Sequence, residues 1–170
     1  PLVQAVEAAV RAGIVVVVSA GNVGRNPTTG QEGYAGITSP GNAPSAITVG
    51  AEKTFDTTSR GDDVIADYSS RGPTWYDGYA KPDILAPGHR VVGPAATNQT
   101  LYGLLVANRV TLGGRPYLKL SGTSMSASVV SGSVALMLQE AKATFGTKPT
   151  PNAVKAMLQQ TAFPMSDPTS

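Results

Sequence analysis

A run of five β-branched residues, Ile14–Val18, leaves few folds open to this chain. Because no polar residue interrupts it, a strand here is apolar on both faces, which is typical of the interior of a parallel sheet. Residues 2–10 place apolar side chains at helical spacing, and Gly13 suits the position just beyond a helix end. A helix, a glycine link and such a strand form half of an α/β crossover unit. The sequence therefore predicts an α/β fold with a mostly parallel sheet flanked by helices.

Further elements are predicted from shorter patterns. Apolar or alternating segments predict strands at Ala46–Gly50, Val64–Ser69, Asp83–Ala86, Arg90–Val92 and Tyr117–Leu120. Apolar residues at positions 130, 134, 137, 138 and 141 predict a buried helical face, and Thr150-Pro151 predicts the start of a last helix. Residues 94–115 are expected to be irregular, with a short helix or flap at 101–106. No repeat or linker divides residues 1–170, which are predicted to be a single domain, and the start at Pro1 within a helix predicts part of a larger one.

Composition argues against several classes of function. The 170 residues carry a net charge of +2, only 14% are charged, and no basic run exceeds two residues, so nucleic acid is not an expected partner. No apolar run reaches the roughly 18 residues that a membrane span needs. The sequence has no cysteine, which excludes disulfides and Cys-ligated metal.

Residues 121–132, SGTSMSASVVSG, place five serines and a threonine at the start of an apolar helix. Ser and Thr are indifferent helix formers, so helix stability alone does not account for them. A hydroxyl at a helix start lies near unpaired backbone N–H groups, which stabilise an oxyanion. A catalytic serine is one interpretation; the other is that Ser121, Thr123 or Ser124 only caps the helix. The G-x-S-x-G and S-x-x-K patterns of other serine enzymes are absent.

Four segments together resemble the subtilisin-like serine proteases. In chain order they are Ser19–Asn22 (SAGN), Tyr68–Pro73 (YSSRGP), Lys81–Gly88 (KPDILAPG) and Gly122–Ser126 (GTSMS), which are similar to that family's AAGN, FSSRGP, KPDILAPG and GTSMA segments. They occur in family order, and the resemblance covers nearly the whole chain. It implies the C-terminal half of a subtilisin-like catalytic domain, a partial domain of the α/β class.

The resemblance implies a serine endopeptidase that forms an acyl-enzyme with a polypeptide substrate. Ser124 would be the nucleophile, and its backbone N–H and the side-chain amide of Asn22 would hold the oxyanion. The walls of the substrate pocket would come from Ser19, Ala20, Gly21, Thr38 and Ser39. Outside the family context, Asn22 also suits a left-handed turn after a strand.

The resemblance breaks at the general base. The family's aspartate segment and its HGTH-like helix start precede the asparagine strand, and neither occurs in this sequence. The single histidine, His89, is interpreted as an exposed turn residue, the alternative being a relocated base paired with Asp62, Asp63 or Asp83. Asp83 is expected to bind backbone at a strand end, and Asp62-Asp63 to be solvated. We therefore expect the isolated chain to hydrolyse peptides negligibly.

Partners, cofactors and location follow from the same resemblance. An unpaired apolar edge at Ile14–Val18 predicts association with the missing N-terminal half or an edge-paired oligomer. No cofactor and no metal ligand is predicted, and calcium would follow only from the family resemblance. The resemblance also predicts an extracellular, secreted protein. The rival hypothesis is a non-catalytic subtilisin-like module that has a structural role or binds peptides by strand addition, without a triad.

Overall fold

The computed structural model describes residues 1–165. The elements follow one another in the order α1 (Leu2–Arg11), β1 (Val17–Ser19), β2 (Ile47–Lys53), β3 (Val64–Ile65), β4 (Ile84–Pro87), β5 (Val91–Pro94), α2 (Thr100–Leu104), a 3₁₀ turn (Val106–Asn108), β6 (Arg109–Leu112), β7 (Arg115–Leu120), α3 (Thr123–Phe145) and α4 (Pro151–Thr161). None of the helices within residues 1–165 combines the length and the apolar character needed to cross a bilayer.

The larger sheet is built around β2, which pairs in parallel with β1 on one edge and with β4 on the other. The registers place Val17 beside Ile47, and Ile84 beside Val49. Among residues 1–165, the two-residue β3 is the one strand that runs antiparallel to β2. The predicted α/β fold with a mostly parallel sheet is confirmed, because both long pairings of β2 are parallel.

The segment around β1 is apolar on both faces because helices cover both. Residues 15 and 17 pack into the core beside α3, whereas residues 16 and 18 pack against the cluster that includes α1. The predicted strand Ile14–Val18 is nevertheless too long, since pairing begins at Val17 and Ile14 is exposed. The chain before residue 16 has no neighbouring strand among residues 1–165.

The main core lies between the larger sheet and α3. Its buried members are Ile47, Val49, Ala86, Val130, Val134 and Val154. The helix α3 ends at Gly146, whose left-handed φ of 71° is the usual helix stop. The helix α4 begins after Thr150, whose hydroxyl accepts a hydrogen bond from the Ala153 N–H at 3.3 Å. Both predicted helices are confirmed, and this core holds the start of α3 against the strand ends.

A second, antiparallel sheet has the order β5–β7–β6 and leads the chain into α3. The expectation that residues 94–115 are irregular is wrong for β6, which forms a hairpin with β7. The hairpin turns through Gly113 and Gly114, whose φ angles of +54° and +74° suit a two-residue loop. The Gly-Gly pair was therefore a hairpin signal in the sequence. The short helix expected near residues 101–106 is present as α2.

Candidate active site

The turn between β7 and α3 brings Ser124 to the surface at the start of a long helix. Gly122 precedes the helix with a φ of 149°, a backbone conformation that favours glycine. A Cβ at this position would lie 3.3 Å from Asn22 Nδ2, so glycine allows the two segments to approach closely. Neither the hydroxyl nor the backbone N–H of Ser124 has a hydrogen-bond partner within residues 1–165. Ser124 therefore offers both groups for binding or reaction.

Asn22 lies beside this turn, although 101 residues separate it from Thr123. Its Oδ1 accepts hydrogen bonds from the Thr123 backbone N–H at 2.9 Å and from the Thr123 hydroxyl at 3.0 Å. These two donors fix Oδ1 as the acceptor end of the amide, so Nδ2 is the donor end beside Gly122. Asn22 does not have a positive φ, so the interpretation as a left-handed turn residue is wrong.

Thr123 connects the two segments, a role that the sequence did not predict. Its side chain is fully buried, and its hydroxyl accepts a hydrogen bond from the Gly21 N–H at 3.2 Å while it donates to Asn22 Oδ1. A single hydroxyl thus binds the residue before Asn22 and the Asn22 side chain. No local sequence signal marks this role, because both contacts join positions about one hundred residues apart.

The helix start is not capped by its own hydroxyl side chains. Gly122 occupies the cap position, and no side chain from the helix start binds the first N–H groups. Ser121 Oγ instead accepts a hydrogen bond from the Arg90 N–H at 2.9 Å, and Ser128 Oγ donates to the Ser124 carbonyl at 3.0 Å. The interpretation that Ser121, Thr123 or Ser124 only caps the helix is therefore wrong.

The five residues predicted to wall a substrate pocket are brought together next to Asn22. The Thr38 N–H donates to the Ala20 carbonyl at 3.0 Å, which joins the segment after β1 to the segment 38–39. A Cβ on Gly21 would lie 2.8 Å from Thr38 Oγ1, and a Cβ on Gly41 would lie 3.0 Å from the Ser19 carbonyl. The two segments Ser19–Gly21 and Thr38–Ser39 therefore lie side by side next to Asn22.

The turn that follows β3 holds the Asn22 segment from the other side. The strand predicted over Val64–Ser69 ends at Ile65, because the chain turns and the Ser69 N–H donates to the Ala66 carbonyl at 2.8 Å. The Ser70 N–H then donates to the Gly21 carbonyl at 2.9 Å, and Ser70 Oγ accepts from the Val23 N–H at 3.2 Å. Ser70 thus binds both neighbours of Asn22, which gives the YSSRGP segment a positional role.

His89 makes no hydrogen bond to Ser124 within residues 1–165. The prediction that it is an exposed turn residue is wrong, since it is half-buried and its Nδ1 is buried without a partner among the described residues. The imidazole stacks on the Tyr68 ring, with centroids 6.2 Å apart. A self-contained triad built on His89 has no geometric support in residues 1–165.

The three aspartates considered as partners for His89 are engaged elsewhere. Asp83 accepts hydrogen bonds from the Thr48 N–H at 2.7 Å and from the Lys81 ammonium group at 2.7 Å, and it forms an ion pair with Lys155 at 2.9 Å. The expected backbone contact of Asp83 at a strand end is thereby confirmed, and burial lowers the pKa of Lys81. Asp62 accepts from the Thr57 hydroxyl at 3.0 Å.

Asp63 departs from the expectation of a solvated turn residue. Its side chain is only 3% exposed, and the prediction is therefore wrong for Asp63. The Arg60 guanidinium lies 3.4 Å from Asp63 and 3.7 Å from Glu52. Burial, followed by the nearby Asp63 charge, raises the pKa of Glu52. Within residues 1–165, no group of three or more His, Asp or Glu side chains is placed to hold a metal ion, and calcium binding stays a prediction from resemblance.

Comparison with protein families gives a match over almost the whole chain. The model of the subtilase family matches residues 1–169. The chain is 43% identical over 159 residues to "Serine protease AprX" of Bacillus subtilis, which covers 94% of this chain and 32% of AprX. It is 33% identical over 170 residues to "Pyrolysin" of Pyrococcus furiosus, covering 88% of this chain and 10% of that protein. The chain therefore spans at most about a third of these curated relatives.

Comparison with solved structures gives the same fold. The patellamide maturation protease PatA superposes with a TM-score of 0.66 at 26% identity, covering 98% of this chain and 47% of that one. A lanthipeptide protease also superposes with a TM-score of 0.66, at 21% identity, over 98% of this chain and 48% of that one, which supports the fold alone. This chain corresponds to about half of each solved chain.

Proposed function

The chain belongs to the subtilase family, and from that membership we propose that it carries the nucleophile and the oxyanion hole of a serine endopeptidase. Ser124 is the nucleophile, and the oxyanion donors are the Ser124 backbone N–H and Asn22 Nδ2. One observation carries the proposal: Asn22 Oδ1 is held by two donors of Thr123, so Nδ2 lies beside Gly122, two residues before Ser124, and neither Nδ2 nor the Ser124 N–H has a hydrogen-bond partner within residues 1–165.

The chemistry follows from the charges that form during acyl transfer. Ser124 Oγ attacks the peptide carbonyl carbon, the carbonyl oxygen becomes negative, and the hydroxyl proton moves to a base. The position of the charge at the start of α3 is favourable, because the Ser124 N–H, which has no partner within residues 1–165, and the helix dipole face it. Losing one such donor slows kcat about 10²–10³-fold, a magnitude that comes from measurements on subtilisin itself.

The base and the aspartate that orients it come from a segment of the protein other than residues 1–165. Within that range His89 makes no hydrogen bond to Ser124, and Asp83 is bound by two lysines. The segment that supplies the base and the aspartate covers the outer edge of β1. No strand among residues 1–165 pairs with this edge, and Ile14 beside it is 57% exposed. The isolated chain therefore hydrolyses peptides negligibly, and it associates through this edge.

The substrate is a polypeptide that lies along the walls formed by Ser19–Gly21 and Thr38–Ser39. The protein that contains this chain acts outside the cell, in keeping with the family resemblance. Proteomic detection of the protein in the culture medium, with an intracellular enzyme as the marker of lysis, checks its location.

Labelling with a fluorophosphonate tests the assignment of the nucleophile. We expect rapid stoichiometric labelling of the full-length gene product that contains this chain, and negligible labelling of the isolated 170 residues. Ser124→Ala abolishes the labelling, whereas Ser128→Ala, one turn further along the same helix, leaves it unchanged. Rapid labelling of the isolated chain would place the base within it. A full-length protein that binds peptide without being labelled would instead be a non-catalytic module.

A further inference from the structure

Tyr68 lies between the two segments that form the candidate oxyanion hole. It is half-buried in the turn that follows β3, and its backbone carbonyl accepts a hydrogen bond from the Gly24 N–H at 3.0 Å. Two residues later, Ser70 binds Gly21 and Val23, the neighbours of Asn22. The backbone around Tyr68 is therefore anchored to the Asn22 segment.

The Tyr68 hydroxyl reaches the other segment. It donates a hydrogen bond to the Gly88 carbonyl at 3.0 Å, and the same carbonyl accepts from the Gly122 N–H at 2.8 Å. Gly122 is the residue before α3, two positions ahead of Ser124. One carbonyl oxygen thus joins the phenol to the turn that carries the nucleophile.

Gly88 has little freedom to move independently of that turn. A Cβ at Gly88 would overlap Ser126 Oγ and would lie 3.0 Å from the Gly122 carbonyl, so the two backbones are in direct contact. The Arg90 N–H adds a hydrogen bond to Ser121 Oγ at 2.9 Å. A displacement of Gly88 is therefore transmitted to the turn between β7 and α3.

We propose that Tyr68 is a positioning residue whose hydroxyl, through the Gly88 carbonyl, keeps the Ser124 turn aligned with the Asn22 segment. The proposal rests on the proposed function of Ser124 and Asn22. Burial raises the pKa of Tyr68, so the phenol keeps its proton and remains a donor at neutral pH. The family segment FSSRGP, which Tyr68–Pro73 resembles, has phenylalanine where this chain has Tyr68.

The test is Tyr68→Phe in the full-length protein, which removes one hydroxyl and keeps the ring against His89. We expect kcat to fall about 3- to 10-fold with KM unchanged, as for the loss of one neutral hydrogen bond that aligns reacting groups. The rate of Ser124 labelling by a fluorophosphonate falls by the same factor. Tyr79→Phe is the matched control and leaves both rates unchanged, because the Tyr79 hydroxyl has no hydrogen bond within residues 1–165.

Active-site titration counts the reactive serines, so kcat is compared per folded site even where the variant folds in lower yield. A Tyr68→Phe protein with unchanged kcat and a lower urea midpoint would show a purely structural contact and overturn the proposal. An equal loss in Tyr79→Phe would overturn it as well. If the wild-type protein itself is never labelled, both the proposed function and the positioning role of Tyr68 fail. If the wild type is labelled and the Tyr68→Phe variant is labelled equally fast, only the positioning role fails.

Discussion

Replacing Thr123 with valine removes one buried hydroxyl while it preserves the shape of the side chain. Two hydrogen bonds are lost, from the Gly21 N–H at 3.2 Å and to Asn22 Oδ1 at 3.0 Å. At about 0.5–1.5 kcal/mol for each bond, we expect the free energy of unfolding to fall by about 1–3 kcal/mol.

The same change loosens the Asn22 amide, which keeps only the hydrogen bond from the Thr123 backbone N–H at 2.9 Å. A less ordered oxyanion donor stabilises the transition state less, whereas substrate binding along the pocket walls is unaffected. We expect kcat to fall about 5- to 30-fold, equivalent to about 1–2 kcal/mol of barrier, with KM nearly constant.

Initial rates on a chromogenic peptide with the full-length protein measure kcat and KM, and urea unfolding measures stability. Thr123→Ser is the control, because it keeps the hydroxyl and should retain kcat within about threefold. If Thr123→Val stays within twofold of the wild-type kcat, the hydroxyl does not orient Asn22 for catalysis. A loss as large in Thr123→Ser would point to packing of the methyl group instead.

Three further outcomes are expected. Gly122→Ala should reduce kcat at least tenfold, because its Cβ would lie 3.3 Å from Asn22 Nδ2 at a φ of 149°; unchanged activity would show that the approach is not needed. In urea unfolding, Glu52→Gln should be more stable than the wild type at pH 7 and equally stable below pH 4. The folded protein raises the pKa of the Glu52 carboxyl, so the wild type loses stability as the pH rises through that pKa and the carboxyl ionises, whereas glutamine stays neutral. A Glu52→Gln protein no more stable at pH 7 would contradict this. The isolated chain should associate in sedimentation, and a clean monomer in dilute solution would count against pairing at the β1 edge.

The sequence predicted the features that depend on short stretches of chain. The apolar run Ile14–Val18 predicted both covered faces of the first strand, and Thr150-Pro151 predicted the start of α4, because each signal lies within a few residues. The predicted length of the first strand was wrong, since the pairing of β1 with β2 depends on where β2 begins. The hairpin at Gly113-Gly114 also had a local signal in the sequence, because a Gly-Gly pair is typical of a two-residue hairpin turn.

The parts of the candidate site that the sequence did not predict are long-range contacts. Thr123 binds residues about one hundred positions away, and Tyr68 reaches Gly88 across 20 residues. Asp63 was expected in solvent, but its side chain is buried beside Arg60 and Glu52, because tertiary packing folds its turn back onto β2. Only the fold brings these groups together, so no periodicity or spacing in the chain reports them.

A structure of the full-length protein with a peptide boronate bonded to Ser124 Oγ would show where the oxyanion lies. We expect one boronate oxygen within about 2.7–3.1 Å of both Asn22 Nδ2 and the Ser124 N–H, with the peptide along Ser19–Gly21. A boronate oxygen directed away from Asn22, or an Asn22 amide turned so that Oδ1 faces the ligand, would contradict it.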